Sequence, residues 1–148
     1  MIHYLKGDAL EPEGYGDKLI IHVCNNQGAW GAGFVLALSR KWKSPEYYYR
    51  RKRKHSLGNV QFVQVEIGNR NNITVANMIA QVLNDKNGVN LRYMALYKCL
   101  LIVNEYAVKN KCTIHAPRFE AGLAGGNWKL IEQKINRAID VPIYIYDL

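Results

Sequence analysis

The stretch 19–33, with the sequence LIIHVCNNQGAWGAG, constrains the fold of this chain more than any other segment. Its apolar first half is short and rich in β-branched residues, which is typical of a strand buried on both faces of an α/β sheet. Residues 25–28 interrupt this run, and small residues then lead into a helix-compatible segment that begins at Phe34. A strand, a glycine-rich loop and a helix N-terminus form a cradle for phosphate, because backbone N–H groups and the helix dipole both favour an anion.

The same turn has a second interpretation. Glycine-rich connections between a strand and a helix often serve only as tight turns in α/β proteins. The spacing fits neither the GxGxxG dinucleotide fingerprint nor the GxxxxGK[ST] loop, so neither of these nucleotide-binding motifs is present. From the turn alone, ligand binding and a purely structural turn are both open.

Length and composition narrow the class of protein. A chain of 148 residues with 49% hydrophobic and 22% charged residues is typical of one folded domain, so we expect a single domain over residues 1–148. No apolar run reaches the length of a bilayer span, and the first residues lack the pattern of a signal peptide. Three cysteines without CxxC spacing indicate reduced thiols, so we expect a cytoplasmic protein. The four scattered histidines favour no metal site, and no cofactor is expected.

The positive net charge of the chain indicates polyanionic binding partners. A formal net charge of +8 and a pI near 9.4 favour phosphates, nucleotides or nucleic acid as partners. Much of the excess lies in the basic run 50–55, which we interpret as a solvated helix end, since cations there complement the helix dipole. Single-strand binders interleave aromatic and basic residues on a sheet face, and we find no such pattern. Nucleic acid is therefore not expected as the primary partner, and no membrane partner is expected.

Hydrophobic periodicity and turn residues place the elements along the chain. The predicted strands are 2–6, 18–24, 60–65, 73–79, 112–116 and 141–146, and the predicted helices are 34–42, a helix from 44 into the basic run, 91–109 and a helix from 128 to 138. Ser44 is predicted to cap its helix with Pro45 in the first helical position, and Asn127 is predicted to cap the last helix. Pro142 indicates that the last strand begins there or lies at an edge.

This order of strands and helices predicts a three-layer α/β/α sandwich with a central mixed sheet. A second small-residue loop, 118–127, also follows a strand and leads into a helix. Ligands of open α/β sheets bind outside the carboxyl ends of the strands, so the two loops should face one crevice. Two such cradles suit a ligand that carries two phosphates.

Three separated motifs carry a resemblance to a known family. They are KGD at 6–8, IHVCNNQGAWGAG at 21–33 and APRFEAGLAGGNW at 116–128. With them, nearly the whole chain resembles the macro-domain family, and it is similar to the branch that includes the yeast ADP-ribose-1''-phosphate phosphatase and the small terminal ADP-ribose glycohydrolases. Members of that branch end in a short strand like IYIYDL, as this chain does. The resemblance implies a macro-domain fold and ADP-ribose, or a derivative of it, as the ligand.

The resemblance leaves two functions open. One is a hydrolase, a phosphatase acting on ADP-ribose-1''-phosphate or on a related ADP-ribose ester, and the alternative is a non-catalytic reader of free or protein-linked ADP-ribose. Glycohydrolases of this branch use a lysine at the end of the central strand and an aspartate in the second glycine loop. Here the strand end 77–81 has no lysine, and Ala124 stands where the aspartate would be. A covalent lysine mechanism therefore lacks both its amine and its carboxylate.

The resemblance also implies roles for single residues. Asp8 would accept a hydrogen bond from the adenine amino group, and Tyr146 and Leu148 would flank the adenine. Residues 23–25 and 30–35 would surround the distal ribose and phosphates, and residues 121–124 would supply backbone donors to the diphosphate. The predicted ligand-binding set is Gly7, Asp8, Ala9, Val23, Cys24, Asn25, Trp30, Gly31, Ala32, Gly33, Phe34, Val35, Arg118, Phe119, Glu120, Ala121, Gly122, Leu123, Ala124, Tyr146 and Leu148.

His22 and Asn25 are the candidate catalytic residues, with Asn25 orienting a water and His22 carrying a proton. A histidine inside an apolar strand is more commonly a hydrogen-bonded core residue, so both roles of His22 are open. Asp8 has a second interpretation as the cap of its own turn. Trp30 and Tyr146 are candidates for the core as well as for the ligand site, although an aromatic residue in a glycine loop favours ligand contact for Trp30.

Overall fold

The computed structural model describes residues 1–83, 90–119 and 127–148. These residues form six strands and four helices. The strands are β1 (Ile2–Lys6), β2 (Lys18–Asn25), β3 (Val60–Glu66), β4 (Ile73–Gln81), β5 (Thr113–Ala116) and β6 (Ile143–Asp147), and the helices are α1 (Phe34–Lys41), α2 (Ser44–Arg51), α3 (Tyr93–Asn110) and α4 (Trp128–Ala138).

The strands form one sheet in the order β1-β6-β5-β2-β4-β3. Every neighbouring pair is parallel except β3 and β4, which form an antiparallel hairpin. β2 lies between β5 and β4, and seven of its eight residues are buried. Because β1, β6, β5, β2 and β4 run in the same direction, their carboxyl ends lie along one edge of the sheet, where ligands of α/β sheets bind.

Helices cover the sheet on two sides. On one side, α3 and α4 pack Leu100 and Ile131 against strand residues such as Ile21. On the other side, the helical residues Leu38 and Tyr49 pack against the opposite face of the central strands. The predicted three-layer α/β/α sandwich with a central mixed sheet is confirmed.

The two helix caps predicted from the sequence have different outcomes. The side chain of Asn127 accepts a hydrogen bond from the N–H of Lys129, which confirms the predicted cap of α4. The predicted cap at Ser44 is wrong, because Ser44 is the first helical residue and Lys43 occupies the capping position. The backbone of Lys43 is already helical, with φ −84° and ψ −19°, so the extended geometry that a side-chain cap needs is missing at this point.

The last strand begins later than predicted. β6 starts at Ile143, directly after Pro142, which has no N–H to donate to a neighbouring strand. Since β6 lies between β1 and β5, Pro142 marks the beginning of the strand and not an edge position. Within the described ranges, none of the helices combines the length and the apolar character that a membrane crossing requires.

Two neighbouring leucines of α3 test where the core lies, because Leu100 is fully buried and Leu101 is 44% exposed. We expect Leu100→Ala to lower the free energy of unfolding by about 2–5 kcal/mol, since it removes buried methyl groups and leaves a cavity. Leu101→Ala should change it by less than about 0.5 kcal/mol. Urea unfolding followed by tryptophan fluorescence measures both, and equal losses would contradict this packing of α3.

Candidate functional site

A cleft of about 240 Å³ lies at the carboxyl ends of β2 and β4. Its lining residues are Val23, Cys24, Asn25, Ala29, Trp30, Gly31, Ala32, Val35, Gln81 and Leu83. Seven of them belong to the set predicted from sequence, whereas Ala29, Gln81 and Leu83 do not. The sequence position of Gln81 could have predicted its place in the cleft, because Gln81 ends the strand that pairs with β2 in parallel. Leu83 follows that strand, and nothing in its sequence context pointed to the cleft.

Asn25 is the residue that shapes the loop over this cleft. Its side-chain oxygen accepts hydrogen bonds from the N–H groups of Gln27 at 2.9 Å and Ala29 at 3.0 Å. Its side-chain nitrogen donates to the Ala29 carbonyl at 2.6 Å, and the Tyr49 hydroxyl donates to the Asn25 backbone carbonyl at 2.6 Å. The strand register also shifts between Cys24 and Asn25, as at many functional sites. The Asn25 amide is therefore engaged in holding the loop.

The glycine loop leaves open space where a ligand would approach. Gly31 lies at the cleft and is exposed, and a Cβ atom at this position would meet no atom within 4 Å. Gly33 precedes α1 with φ 79°, a backbone conformation that L side chains rarely adopt. The first turn of α1 holds no acidic residue, so nothing in it opposes an anion at the helix N-terminus.

Trp30 belongs more to the core than its predicted role implied. Only 4% of it is exposed, and its ring packs 5.2 Å from the ring of Tyr49. Its indole N–H donates to the Ser39 hydroxyl at 2.7 Å, and that hydroxyl donates to Glu46 at 2.8 Å. Trp30 therefore anchors the loop onto α1 and α2 and presents only a small part of its ring to the cleft. The sequence predicted ligand contact for Trp30 because no sequence pattern indicates its hydrogen bond with Ser39.

His22 is buried under the cleft and is not among its lining residues. It lies 2.6 Å from the side-chain oxygen of Asn77, an acceptor, so its Nε2 carries the proton. Burial lowers the pKa of His22 to about 4, which keeps the ring neutral near pH 7. The Cys24 sulfur lies 4.0 Å from Nδ1 of the same ring. This geometry favours the interpretation of His22 as a hydrogen-bonded core residue.

Asp8 follows β1 at the same edge of the sheet and is exposed. One oxygen of its carboxylate accepts a hydrogen bond from the N–H of Leu10 at 2.9 Å, so Asp8 does cap its own turn. The N–H of the preceding Gly7 donates to the carbonyl of Asp147 at 2.7 Å. Ala9 is buried beside this turn. The cap engages one carboxylate oxygen and leaves the exposed position of Asp8 compatible with ligand contact.

The two residues predicted to flank an adenine differ in exposure. Tyr146 is buried, its hydroxyl accepts a hydrogen bond from the N–H of Glu13 at 2.9 Å, and that hydroxyl lies 2.8 Å from Nδ1 of His115. Tyr146 is thus a core residue beneath Gly7, where its ring is 3.6 Å from the place of a Cβ. Leu148 is 99% exposed next to the end of β6.

Arg118 and Phe119 follow β5 at this edge. The Arg118 guanidinium forms two hydrogen bonds with Asp147, at 2.7 and 2.8 Å, and these lower the pKa of the Asp147 carboxyl. It also lies 5.0 Å from the ring centre of Tyr4 and 4.9 Å from that of Trp128. Phe119 is 1% exposed, so its side chain belongs to the core and not to a ligand surface.

The remaining predicted positions divide into two groups. Phe34 begins α1, its ring lies 5.7 Å from that of His22, and it is not among the lining residues of the cleft. The second group, Glu120, Ala121, Gly122, Leu123 and Ala124, lies outside the described residues. The second glycine loop therefore stays a prediction.

Known proteins resemble this chain over its full length, although no family model matches it. A protein of unknown function from Bacteroides thetaiotaomicron is 44% identical with a TM-score of 0.91, and the match covers 100% of this chain and 98% of that one. A macrodomain protein from Streptomyces coelicolor is 39% identical with a TM-score of 0.85, covering 100% and 99%. The ADP-ribose 1''-phosphate phosphatase of Candida albicans is 26% identical over 157 residues, or 99% of each chain. A 29% identical match to the Mus musculus chromodomain-helicase-DNA-binding protein 1-like spans 98% of this chain but only 17% of that protein.

The buried state of His22 predicts a pH-dependent stability. Its folded-state pKa of about 4 lies below the ordinary value of 6.5, so between these values the unfolded chain binds a proton that the folded chain does not. We expect the stability from this residue to be lost as the pH falls through that window, by up to about 1.4 kcal/mol per pH unit. The His22→Gln variant keeps a hydrogen-bond donor for Asn77 but does not titrate, so its free energy of unfolding should depend less steeply on pH.

Urea unfolding of both proteins at several pH values measures this difference. His115 is retained in the variant and its pKa is also lowered to about 4 by burial, so some dependence should persist. Identical slopes in the two proteins would show that His22 does not titrate in this range.

Proposed function

Because the chain belongs to the macrodomain family, we propose that it binds ADP-ribose in the cleft at the end of β2 and hydrolyses the phosphate ester of ADP-ribose-1''-phosphate. The observation that carries this proposal is the glycine loop at Gly31, where the position of a side chain is empty and the chain leads into the N-terminus of α1; backbone N–H groups in such a loop bind phosphate. The name and full-length coverage of the Candida albicans relative support the choice of ester.

The ligand fits the order of the strands. The diphosphate would lie on the backbone of residues 31–33 at the start of α1, with the distal ribose against Val23 and the loop held by Asn25. The adenine would lie at the other end of the same sheet edge, near Asp8 and Leu148, because β1 and β6 end there. The predicted donors at 121–124 belong to this proposal. Residues 31–33 are exposed, so a ligand attached to a macromolecule would also fit.

The chemistry would rest on backbone donors. A water attacks the phosphorus, the bond between phosphorus and the ribose oxygen breaks, and ADP-ribose and inorganic phosphate result. Preorganised N–H groups stabilise the charge that develops on the phosphoryl oxygens. The Asn25 side chain positions the loop, and His22 acts through the packing under it, since its neutral ring lies outside the cleft lining. We also propose a cytoplasmic location, supported by three buried cysteines without disulfide bonds.

A non-catalytic reader is the second candidate, favoured by one specific observation. Among the described lining residues of the cleft, Cys24 has the only ionisable side chain, and none of them carries a carboxylate or an amine. General acid–base catalysis needs a group that exchanges protons near the reacting atoms. A reader needs only the cradle and the contacts to the adenine.

Gly31→Val tests the cradle. The branched side chain would enter space that is open in the protein and would fill the place of the phosphate, so we expect folding to persist and ligand binding to be lost. The wild type should bind ADP-ribose with a dissociation constant on the order of micromolar, about −8 kcal/mol, by calorimetry. It should also release phosphate from ADP-ribose-1''-phosphate, and the variant should not.

Gly68→Val in the β3–β4 hairpin is the matched control, because a Cβ there meets only ordinary contacts at 3.5 Å. Wild-type binding without phosphate release would assign the protein to the reader. The proposal as a whole fails if the wild type shows neither heat nor competition at millimolar ADP-ribose.

Asp8→Asn separates the cap of the turn from the contact with adenine. An asparagine keeps an oxygen for the N–H of Leu10, but its amide group cannot accept a hydrogen bond from the adenine amino group. We expect unchanged thermal stability and a loss of about 1.5–3 kcal/mol in ADP-ribose affinity, with weaker discrimination against the inosine analogue. Equal affinity of Asp8→Asn and wild type would restrict Asp8 to the turn.

A further inference from the structure

We propose that α2 and the segment after it form a binding surface for single-stranded nucleic acid beside the cleft. This basic surface comprises Tyr47, Tyr48, Arg51 and residues 52–54. Its residues are not part of the proposed ADP-ribose site. The proposal does not depend on ADP-ribose binding or hydrolysis.

The charge of the chain is concentrated at this surface. Residues 40–54 hold eight lysines and arginines and one acidic residue, Glu46, so this stretch carries +7 of the formal net charge of +8. Glu46 pairs with Arg50 at 2.8 Å. Within the described part of the chain, Lys52, Arg53 and Lys54 are exposed and have no carboxylate partner. Such a local field attracts a polyanion, and its contacts with phosphates release counterions.

Two aromatic rings stand among these cations. Tyr47 and Tyr48 are 52% and 48% exposed, and their ring centres lie 5.2 Å apart. The Arg51 guanidinium donates to the Tyr47 hydroxyl and lies 5.3 Å from the centre of its ring. Exposed rings beside cations stack with unpaired bases, which an acidic peptide lacks. The sequence SPEYYYRR of α2 also offers no aliphatic side chain for insertion into a bilayer.

A groove that contains Arg53 and Lys54 extends the basic surface toward the loop after β2. It encloses about 600 Å³ between the loop after β2 and the segment after α2, and its lining residues are Asn26, Gln27, Arg53, Lys54, His55, Ser56 and Leu57. Cations and amides in one groove suit the phosphates and sugar hydroxyls of a strand backbone. Because stacking requires unpaired bases, the two exposed tyrosine rings favour a single strand over a duplex.

The charge variant Lys52→Gln/Arg53→Gln/Lys54→Gln tests the electrostatic half of the proposal. We expect the wild type to bind a fluorescent oligothymidylate of about 12 nucleotides, with anisotropy showing affinity that falls as salt rises. The variant should bind at least about tenfold more weakly, and its slope of log affinity against log salt should be smaller by about 2. The variant Lys109→Gln/Lys134→Gln/Arg137→Gln loses the same charge elsewhere and should resemble wild type.

Tyr47→Ala and Tyr48→Ala test the stacking half. Each should weaken oligothymidylate binding about 5- to 100-fold, whereas Tyr15→Ala, which removes a 100% exposed tyrosine between β1 and β2, should not. An abasic strand of equal length should bind wild type as weakly as the tyrosine variants bind oligothymidylate. Circular dichroism and ADP-ribose calorimetry should show every variant folded. Equal wild-type affinity for the abasic strand, for polyglutamate or for a duplex would overturn the proposal, as would unchanged binding by the charge variant.

Discussion

The double burial of β2 is the constraint on which the rest of this structure depends. The strand pairs in parallel with β4 on one side and β5 on the other, and helices cover both of its faces. Any polar side chain on it must find a partner inside the protein. Lys18 donates to the Gly16 carbonyl and to Asn71, and His22 bonds to Asn77. The glycine loop is therefore attached to a strand that is paired on both edges and packed on both faces, and this strand forms the floor of the cleft.

The fold was predictable because its signals are local or periodic. The apolar run of β2, the helical spacing in α3 and the cap at Asn127 each reveal an element within a short window of sequence, and all three are confirmed. The parallel direction of β4, β5 and β6 then follows from their alternation with α3 and α4, whereas no helix separates β1 from β2 and the place of β1 beside β6 has no such local signal. What was mispredicted, the capping residue of α2 and the first residue of β6, lies at element ends, where one residue's backbone geometry decides.

The candidate site was less predictable, because contacts between distant residues determine what each side chain does. Trp30 bonds to Ser39, Tyr49 bonds to Asn25, and Arg118 is held by Asp147. No sequence pattern predicts any of these pairs. Several residues that carry the family motif are consequently structural supports, and the groups that face the cleft are mostly small side chains and backbone. The exposure of Tyr47 and Tyr48 was equally hidden, since a run of three tyrosines does not say which one is buried.

The contact of His55 with Tyr49 connects the groove after α2 to the loop over the cleft. The His55 ring lies 4.3 Å from the ring of Tyr49 and bonds to its carbonyl at 2.7 Å, and Tyr49 in turn holds Asn25. His55 also lines the groove and lies 3.4 Å from the position of a Cβ on Gly28. A ligand that shifts His55 therefore acts on the hydrogen bonds that order the cleft loop. By thermodynamic reciprocity, occupants of groove and cleft would then change each other's affinity by the same factor.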